Sequence, residues 1–293
     1  MNFLAIDVET ANSDMASICQ IGFVIYENDQ VKKEWSSLIN PEDYFDFWNE
    51  SIHNITEDDV VESPKFPEIY ELLKQNLENY VCVCHTHFDR VSINRTCEKY
   101  GLPLIQNNWI DTAKVARRCW NEFAYKGYGL ANVCKKLGYS FNHHDALEDA
   151  KASAHILISA IKEKNNTIDE WQIRVNNPIL SNAKTYSKSV SKEGNPDGNL
   201  FGEVLVFTGS LQIPRREASL LASEIGCNVV NSVTKKTTLL VVGDQDISKL
   251  SGKKKSSKHL KAEELKTKGQ NIRILKESDF IALYESNIKE TEK

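Results

Sequence analysis

The sequence has no apolar run long enough to cross a bilayer, and its opening residues, MNFLAIDVET, hold no basic segment ahead of an apolar core. Membrane spanning and export are therefore not expected, and the expected setting is the cytoplasm. There is no CxxC pair. The seven cysteines are odd in number and scattered, and Cys82 and Cys84 alternate as strand residues do. That excludes a disulfide scaffold and predicts reduced thiols, mostly in the core. No internal repeat is visible, so a repeat array is excluded too. What is present is 293 residues of globular composition, more than one domain usually holds. Charge divides unevenly along them. Residues 1–165 carry 16 Lys+Arg against 25 Asp+Glu, and residues 200–293 carry 16 against 12. An acidic half beside a basic half predicts different partners for each. An acidic half that handled a polyanion would need cations to do so.

Periodicity divides the chain in the same way. FLAIDVET alternates as a strand, and residues 18–41 read as a hairpin turning at Asn28-Asp29. PEIYELLKQNLENY has helical spacing with Pro67 at its start. YVCVCH is a short buried strand leading into a helix closed by Gly101. WIDTAKVARRCW, GLANVCKKLG and DALEDAKASAHILISAIKEK add a strand end and three helices. A strand meander followed by strand–helix alternation predicts a mixed α/β sheet with flanking helices over residues 1–165. Residues 166–199 are polar and aperiodic and read as a flexible linker. Residues 200–287 then read βαββαβα, enough for a small α/β domain, with 288–293 as a tail.

Chemistry concentrates in three places. Asp7 and Glu9 are two apart on a strand, so both carboxylates point to one face. Like charges there are unfavourable unless a cation lies between them. Asp89 follows a buried strand and stands near a helix start, where sites are built and where aspartates also cap helices. FNHHDALEDA holds two histidines and three acids. Asp145 and Glu148 have the spacing of a capping box, which leaves His144 on a loop and Asp149 on the helix to converge on one spot. His143 is expected to face solvent without a role.

Asp-x-Glu on the first strand, His-x-x-Phe-Asp after a buried strand and His-x-Ala-x-x-Asp-Ala opening a helix resemble the DEDDh exonucleases, which include the proofreading subunit of bacterial DNA polymerase III. Order, spacing and span all fit. The resemblance implies a ribonuclease H-like fold and a two-metal 3′→5′ exonuclease. Asp7, Glu9, Asp89 and Asp149 would hold two Mg²⁺ or Mn²⁺ ions, which suit hard oxygen donors. His144 would be the general base, a role for which imidazole is suited. Thr10 would contact the terminal nucleotide. Two positions depart from the family pattern: Thr86, where many relatives have Asn, and Asp145, where many have Arg. Neither is a ligand position, and activity is expected to survive. His85 and His87 are expected to be structural, and Phe88 and Tyr128 core aromatics.

LVFTGSL, RREASLLASEIGCNVVNSVTKKTTLLVVGD and SSKHLKAEEL resemble a BRCT domain, of the branch found in NAD-dependent DNA ligases and the large clamp-loader subunit. A tryptophan often present in the last helix is absent, with Phe280 nearby. The resemblance implies a phosphate cradle from Thr208, Gly209, Arg216 and Lys261, with the lysines of KLSGKKKSSKHLK beside it. The expected partners are nucleic acid, DNA favoured over RNA, and 5′-phosphorylated DNA ends or a phosphoprotein at the BRCT domain. Two other readings stay open: an exoribonuclease, and a non-catalytic phosphate-binding scaffold. Oligomeric state is not legible.

Overall fold

FLAIDVET is central to the first sheet of the computed structural model, which describes residues 1–177, 191–243 and 255–291, with side chains through residue 287. Residues 178–190 of the expected linker lie outside the described residues, as do Lys249, Lys253 and Lys254 of the lysine-rich run and the end of the tail. The chain divides into two compact units, Met1–Asn177 and Pro178–Lys293. Among the described residues no helix is long and apolar enough to cross a membrane. All seven cysteines are buried and free.

In the first unit β1 (Phe3–Thr10) pairs antiparallel with β2 (Ile18–Glu27), and β2 with β3 (Gln30–Leu38). Asn28 and Asp29 turn the hairpin with φ of 52° and 66°. Two successive positive φ values are what a type I′ turn requires, and Asn and Asp tolerate them. On its other side β1 runs parallel to β4 (Cys82–Cys84), which runs parallel to β5 (Trp109–Asp111). The order β3-β2-β1-β4-β5 is the expected mixed sheet. The helices are α1 (Phe47–His53), α2 (Glu57–Val60), α3 (Phe66–Asn79), α4 (Phe88–Lys99), α5 (Thr112–Cys119), α6 (Leu130–Lys136), α7 (Ala146–Lys164) and α8 (Ile168–Asn176).

Both sheet faces are covered, and β1 feeds both. Leu4 and Ile6 enter one core with Phe66, Leu73 and Ile93. Phe3 and Ala5 enter the other with Ala152, Ile156 and Trp171. By strand alternation Asp7 and Glu9 continue the Phe3–Ala5 face, the one on which α7 packs. One strand face thus starts apolar beneath α7 and ends acidic at its N-terminus. β4 pairs with β1 only at Leu4 and Ala5, so the far end of β1 is open on that side.

The expectation of a linker over 166–199 needs correction at both ends. Thr167 and Glu170 form a reciprocal capping box that starts α8. Trp171 and Val175, one turn apart on α8, are buried in the α7-side core. At the other end Lys192 bridges to Val229 in the second unit. A Cβ on Gly198 would lie 2.3 Å from the Gly226 nitrogen, so this stretch runs directly against the backbone there.

The second unit holds β6 (Val204–Thr208), α9 (Arg215–Glu224), β7 (Asn228–Val229), β8 (Leu239–Val242), α10 (Ser257–Thr267), β9 (Arg273–Lys276) and α11 (Glu277–Thr291). Its sheet is parallel in the order β7-β6-β8-β9. Phe280 is 1% exposed and meets Phe207 edge-on at 5.2 Å.

Candidate active site

Asp7, Glu9 and Asp149 each offer a carboxylate oxygen within 4.8 Å of the others. Two features of β2 bring the third acid to the first two. Gly22 pairs with Asp7 and Gln20 with Glu9. A Cβ on Gly22 would stand 2.2 Å from the Leu147 backbone nitrogen, so a side chain there would displace the first turn of α7. Gln20 accepts at Oε1 from the Ala146 N–H at 3.0 Å. The sequence reading singled out neither residue. A lone glycine inside a strand was the available signal for a close backbone approach.

Gathering carboxylates in a dry site has an electrostatic cost. Burial first, and the Glu9 charge second, push Asp149 up to about 8. The His144 N–H opposes this by donating to both Asp149 oxygens at 3.3 Å. Asp89 also raises Asp149 by its charge, though it stands outside the trio within 4.8 Å. Asp89 is 6% exposed and accepts from the Val8 N–H at 3.3 Å, on the edge that β4 leaves open. It does not cap α4, whose N-cap is His87.

His144 reaches the cluster from the other side. Its φ is 71° and its Nδ1 lies 3.7 Å from Glu9 Oε1. His143 is exposed but not idle: its Nδ1 is 3.6 Å from Asp149 Oδ2. His143, His144 and Asp149 form a second group able to ligate, so His143 faces solvent as expected and also lies beside the acids, which the sequence did not suggest. The capping box is half formed. Asp145 accepts from the Leu147 and Glu148 N–H groups at 3.0 and 3.1 Å. Glu148 instead accepts from Lys151 Nζ at 3.2 Å.

Thr10 follows Glu9 across an irregularity in the β1–β2 register. Asn49 Nδ2 donates to the Thr10 carbonyl at 2.7 Å and stands 3.3 Å from its hydroxyl. His53 Nε2 lies 3.2 Å from the same carbonyl, and its Nδ1 accepts from the Ile55 N–H at 3.0 Å. An accepting Nδ1 makes Nε2 the donor of a neutral ring. Burial lowers the His53 pKa, with the Glu9 charge opposing. Asn49 and His53 are four apart on α1 and were also missed.

The middle motif is mostly scaffold, as expected. His85 bonds through Nδ1 to Thr112 Oγ1 at 2.8 Å and through Nε2 to the Tyr128 carbonyl at 3.0 Å. His87 is 2% exposed and 3.8 Å from Asp111 Oδ2. Thr86 has φ 81° and donates its N–H to Asp111 Oδ1 at 3.0 Å. That backbone suits asparagine better than threonine, since Asn tolerates positive φ and a β-branched residue there is strained. Phe88 is buried, and Tyr128 lies beneath the Arg117 guanidinium at 5.1 Å.

In the second unit Thr208 Oγ1 meets Ser256 Oγ at 2.7 Å, and Gly209 has φ 72°. The cations at this strand end are not the expected ones. Arg215 donates to the carbonyls of Phe207 at 2.5 Å and Gly209 at 2.7 Å. Lys258 Nζ donates to the Phe207 carbonyl at 3.1 Å. Arg216 is exposed, and Lys261 is exposed and paired with Glu264 at 2.7 Å. Arg215 and Lys258 thus stand nearer to the backbone of Phe207 and Gly209 than the exposed pair that the resemblance implied. Burial first, and the Arg215 charge second, lower the Lys258 pKa.

The family model described as Exonuclease matches residues 4–157, and that described as BRCA1 C Terminus (BRCT) domain matches residues 202–284. The chain is 26% identical over 165 residues to the PolC-type DNA polymerase III of Bacillus cereus, covering 55% of this chain and 11% of that one. It is 29% identical over 185 residues to the Clostridium perfringens counterpart, covering 61% and 13%. The chain thus spans only a small part of the length of these polymerases. Among solved structures, Exonuclease X in complex with 5′ overhanging duplex DNA has a TM-score of 0.47 at 24% identity, covering 59% of this chain and 99% of that one. Cell-death related nuclease 4 has a TM-score of 0.47 at 19% identity, covering 55% and 64%. The chain belongs to the exonuclease family and carries a BRCT domain on the C-terminal side of its exonuclease domain.

Proposed function

We propose that the protein is a metal-dependent 3′→5′ exonuclease acting on nucleic acid, DNA in preference to RNA, in cytoplasmic replication or repair. The observation that carries this reading is the convergence of Asp7, Glu9 and Asp149 within 4.8 Å. Three acids this close, one with its carboxyl pushed up to about 8, are a set whose full ionisation calls for a cation. The donors are oxygens, which fits Mg²⁺ or Mn²⁺. Asp7, Glu9, Asp89 and Asp149 would hold two ions, directly or through water. Such ions, when bound, polarise a phosphoryl oxygen and acidify water. His144 takes the proton of the attacking water, with Glu9 beside its ring. Asp145 fixes the helix start, and the His144 N–H holds Asp149. Thr10, clamped by Asn49 and His53, orients the terminal nucleotide.

The domains of this reading are an exonuclease domain within residues 1–177 and a BRCT domain from about 191, joined through the segment between. The BRCT domain would bind phosphate, on a 5′-phosphorylated DNA end in preference to a phosphoprotein, with Thr208, Gly209, Arg215 and Lys258. Two cations held together support an anion site. Matched DNA and RNA oligomers, labelled at either end and incubated with Mn²⁺, test the reading. Stepwise mononucleotide loss from the 3′ end, faster on DNA, is expected. Loss from the 5′ end, or no loss, would overturn it.

A further inference from the structure

Asp149 belongs to two donor sets of different chemistry. With Asp7 and Glu9 it makes an all-oxygen group, and with His143 and His144 it makes a group of two imidazoles and one carboxylate. Hard dications suit the first kind of set, and borderline dications such as Zn²⁺ suit the second. In the second group the three ligand atoms lie within 4.8 Å of one another. Around a tetrahedral zinc with bonds of about 2.0–2.1 Å, ligand atoms stand about 3.4 Å apart. His143 Nδ1 and Asp149 Oδ2 are 3.6 Å apart, close to that spacing without any movement. The His143 ring is also held in place. It stacks on Phe141 at 5.4 Å, Phe141 stacks on Tyr139 at 5.9 Å, and Tyr139 stacks on His155 at 4.4 Å. Phe141 and Tyr139 pack against the α7-side core, and His155 is on α7 itself. The helix that carries Asp149 therefore also anchors the ring that faces it. The His144 ring lies 3.9 Å from that of His143. Solvent reaches both imidazoles, whose side chains are 36% and 34% exposed, while Asp149 at 5% is fixed beneath them. All seven cysteines are buried, so no surface thiol competes for the ion.

We propose that His143, His144 and Asp149 form a Zn²⁺ site that switches the exonuclease centre off. Three protein ligands leave the fourth tetrahedral position to water. With Zn²⁺ bound, the His144 lone pair is occupied and no longer takes a proton from the attacking water. Asp149 is at the same time drawn from the oxygen set that would hold Mg²⁺ or Mn²⁺. The binding half stands on the geometry alone; the inhibition half rests on the nuclease reading given above.

Zn²⁺ titrated into the full chain by calorimetry tests the binding half. The Asp7→Ala/Glu9→Ala variant serves as background, because it removes the other donors of the oxygen set and keeps all three proposed ligands. It should bind one Zn²⁺, and adding His143→Phe should weaken that binding at least about tenfold, since even an outer-shell loss costs a metal site that much. His143→Phe keeps a ring against Phe141 and removes only the nitrogen, so melting temperature without Zn²⁺ should not move. Nuclease assays with saturating Mn²⁺ test the inhibition half. Zn²⁺ should inhibit the unaltered protein, and His143→Phe alone should keep the Mn²⁺ activity and raise the inhibitory Zn²⁺ concentration by the same factor as in calorimetry. Zn²⁺ binding that His143→Phe leaves unchanged overturns the site and leaves the nuclease reading standing. Binding that depends on His143 but does not inhibit overturns the switch. No hydrolysis by the unaltered protein with Mn²⁺ overturns the nuclease reading and the switch, whereas binding that depends on His143 would still support the site.

Discussion

Asp149 bears the electrostatic load of the site. Its carboxyl is pushed up to about 8, well above the value of about 3.9 in an unfolded chain. The folded state therefore binds this proton more tightly than the unfolded state does. The stability it confers is full below about pH 4 and is lost as pH rises through about 8. Thermal melts without metal should show Tm falling across that window. Asp149→Asn should flatten the fall, and Mn²⁺ should raise the Tm of the native protein most at the alkaline end. Parallel curves for the two proteins would contradict the assignment. Thr86 gives a second test. A β-branched residue at φ 81° is strained, by roughly 1–3 kcal/mol. Thr86→Asn should raise Tm measured by calorimetry and leave nuclease activity intact. The acids on β1 were legible because strand alternation needs only a spacing of two. That Arg215 and Lys258 face the Phe207 carbonyl while Arg216 and Lys261 are exposed was not legible, since a one- or three-residue step on a helix changes the side presented and sequence spacing alone does not fix it. His143 is exposed as expected, but its approach to Asp149 was not legible because the loop that carries it has no periodic signal.

Between β1 and α7 the site is a matter of docking. Gly22 and Gln20 on β2 seat the helix start, and the helix start carries Asp149. Gly22→Ala should push the first turn of α7 away, because the new Cβ would come within 2.2 Å of backbone. We expect a fall in kcat of a hundredfold or so, the scale for about 1 Å of misplacement. Mn²⁺ affinity by calorimetry should weaken in parallel. Unchanged kcat and Mn²⁺ affinity would mean the helix start has slack. Strongly patterned elements were legible: β1, the β2–β3 hairpin, α3 and α7 all stand where alternation or helical spacing put them. Short helices α1 and α2 were not read, since a turn or two gives no periodicity. α8 was lost in a polar stretch, although its capping box and its Trp171 and Val175 spacing were there to find.

At the scale of the molecule, the proposed reading has an acidic exonuclease unit and a phosphate-binding BRCT unit on one chain divide the labour of chemistry and capture. Tethering raises the local concentration of ends near the site. Binding of the full chain to duplex DNA with and without a 5′ phosphate, read by fluorescence anisotropy, measures the capture half. Arg215→Ala and Lys258→Ala should abolish the preference for the phosphate, and Lys261→Ala should keep it. The reverse pattern would restore the sequence-based assignment. The charge asymmetry that suggested two partners was legible from composition alone; where each unit begins was not, because the packing of α8 and of residues 191–200 depends on their tertiary neighbours. The central claim is that the acids gathered at the end of β1 make a metal-dependent nuclease centre. Release of 3′-terminal nucleotides from single-stranded DNA with Mn²⁺, by the native protein and by the Asp7→Ala/Glu9→Ala variant, tests it most directly. The account predicts release by the first, abolished by a chelator, and none by the second; equal release by both would contradict it.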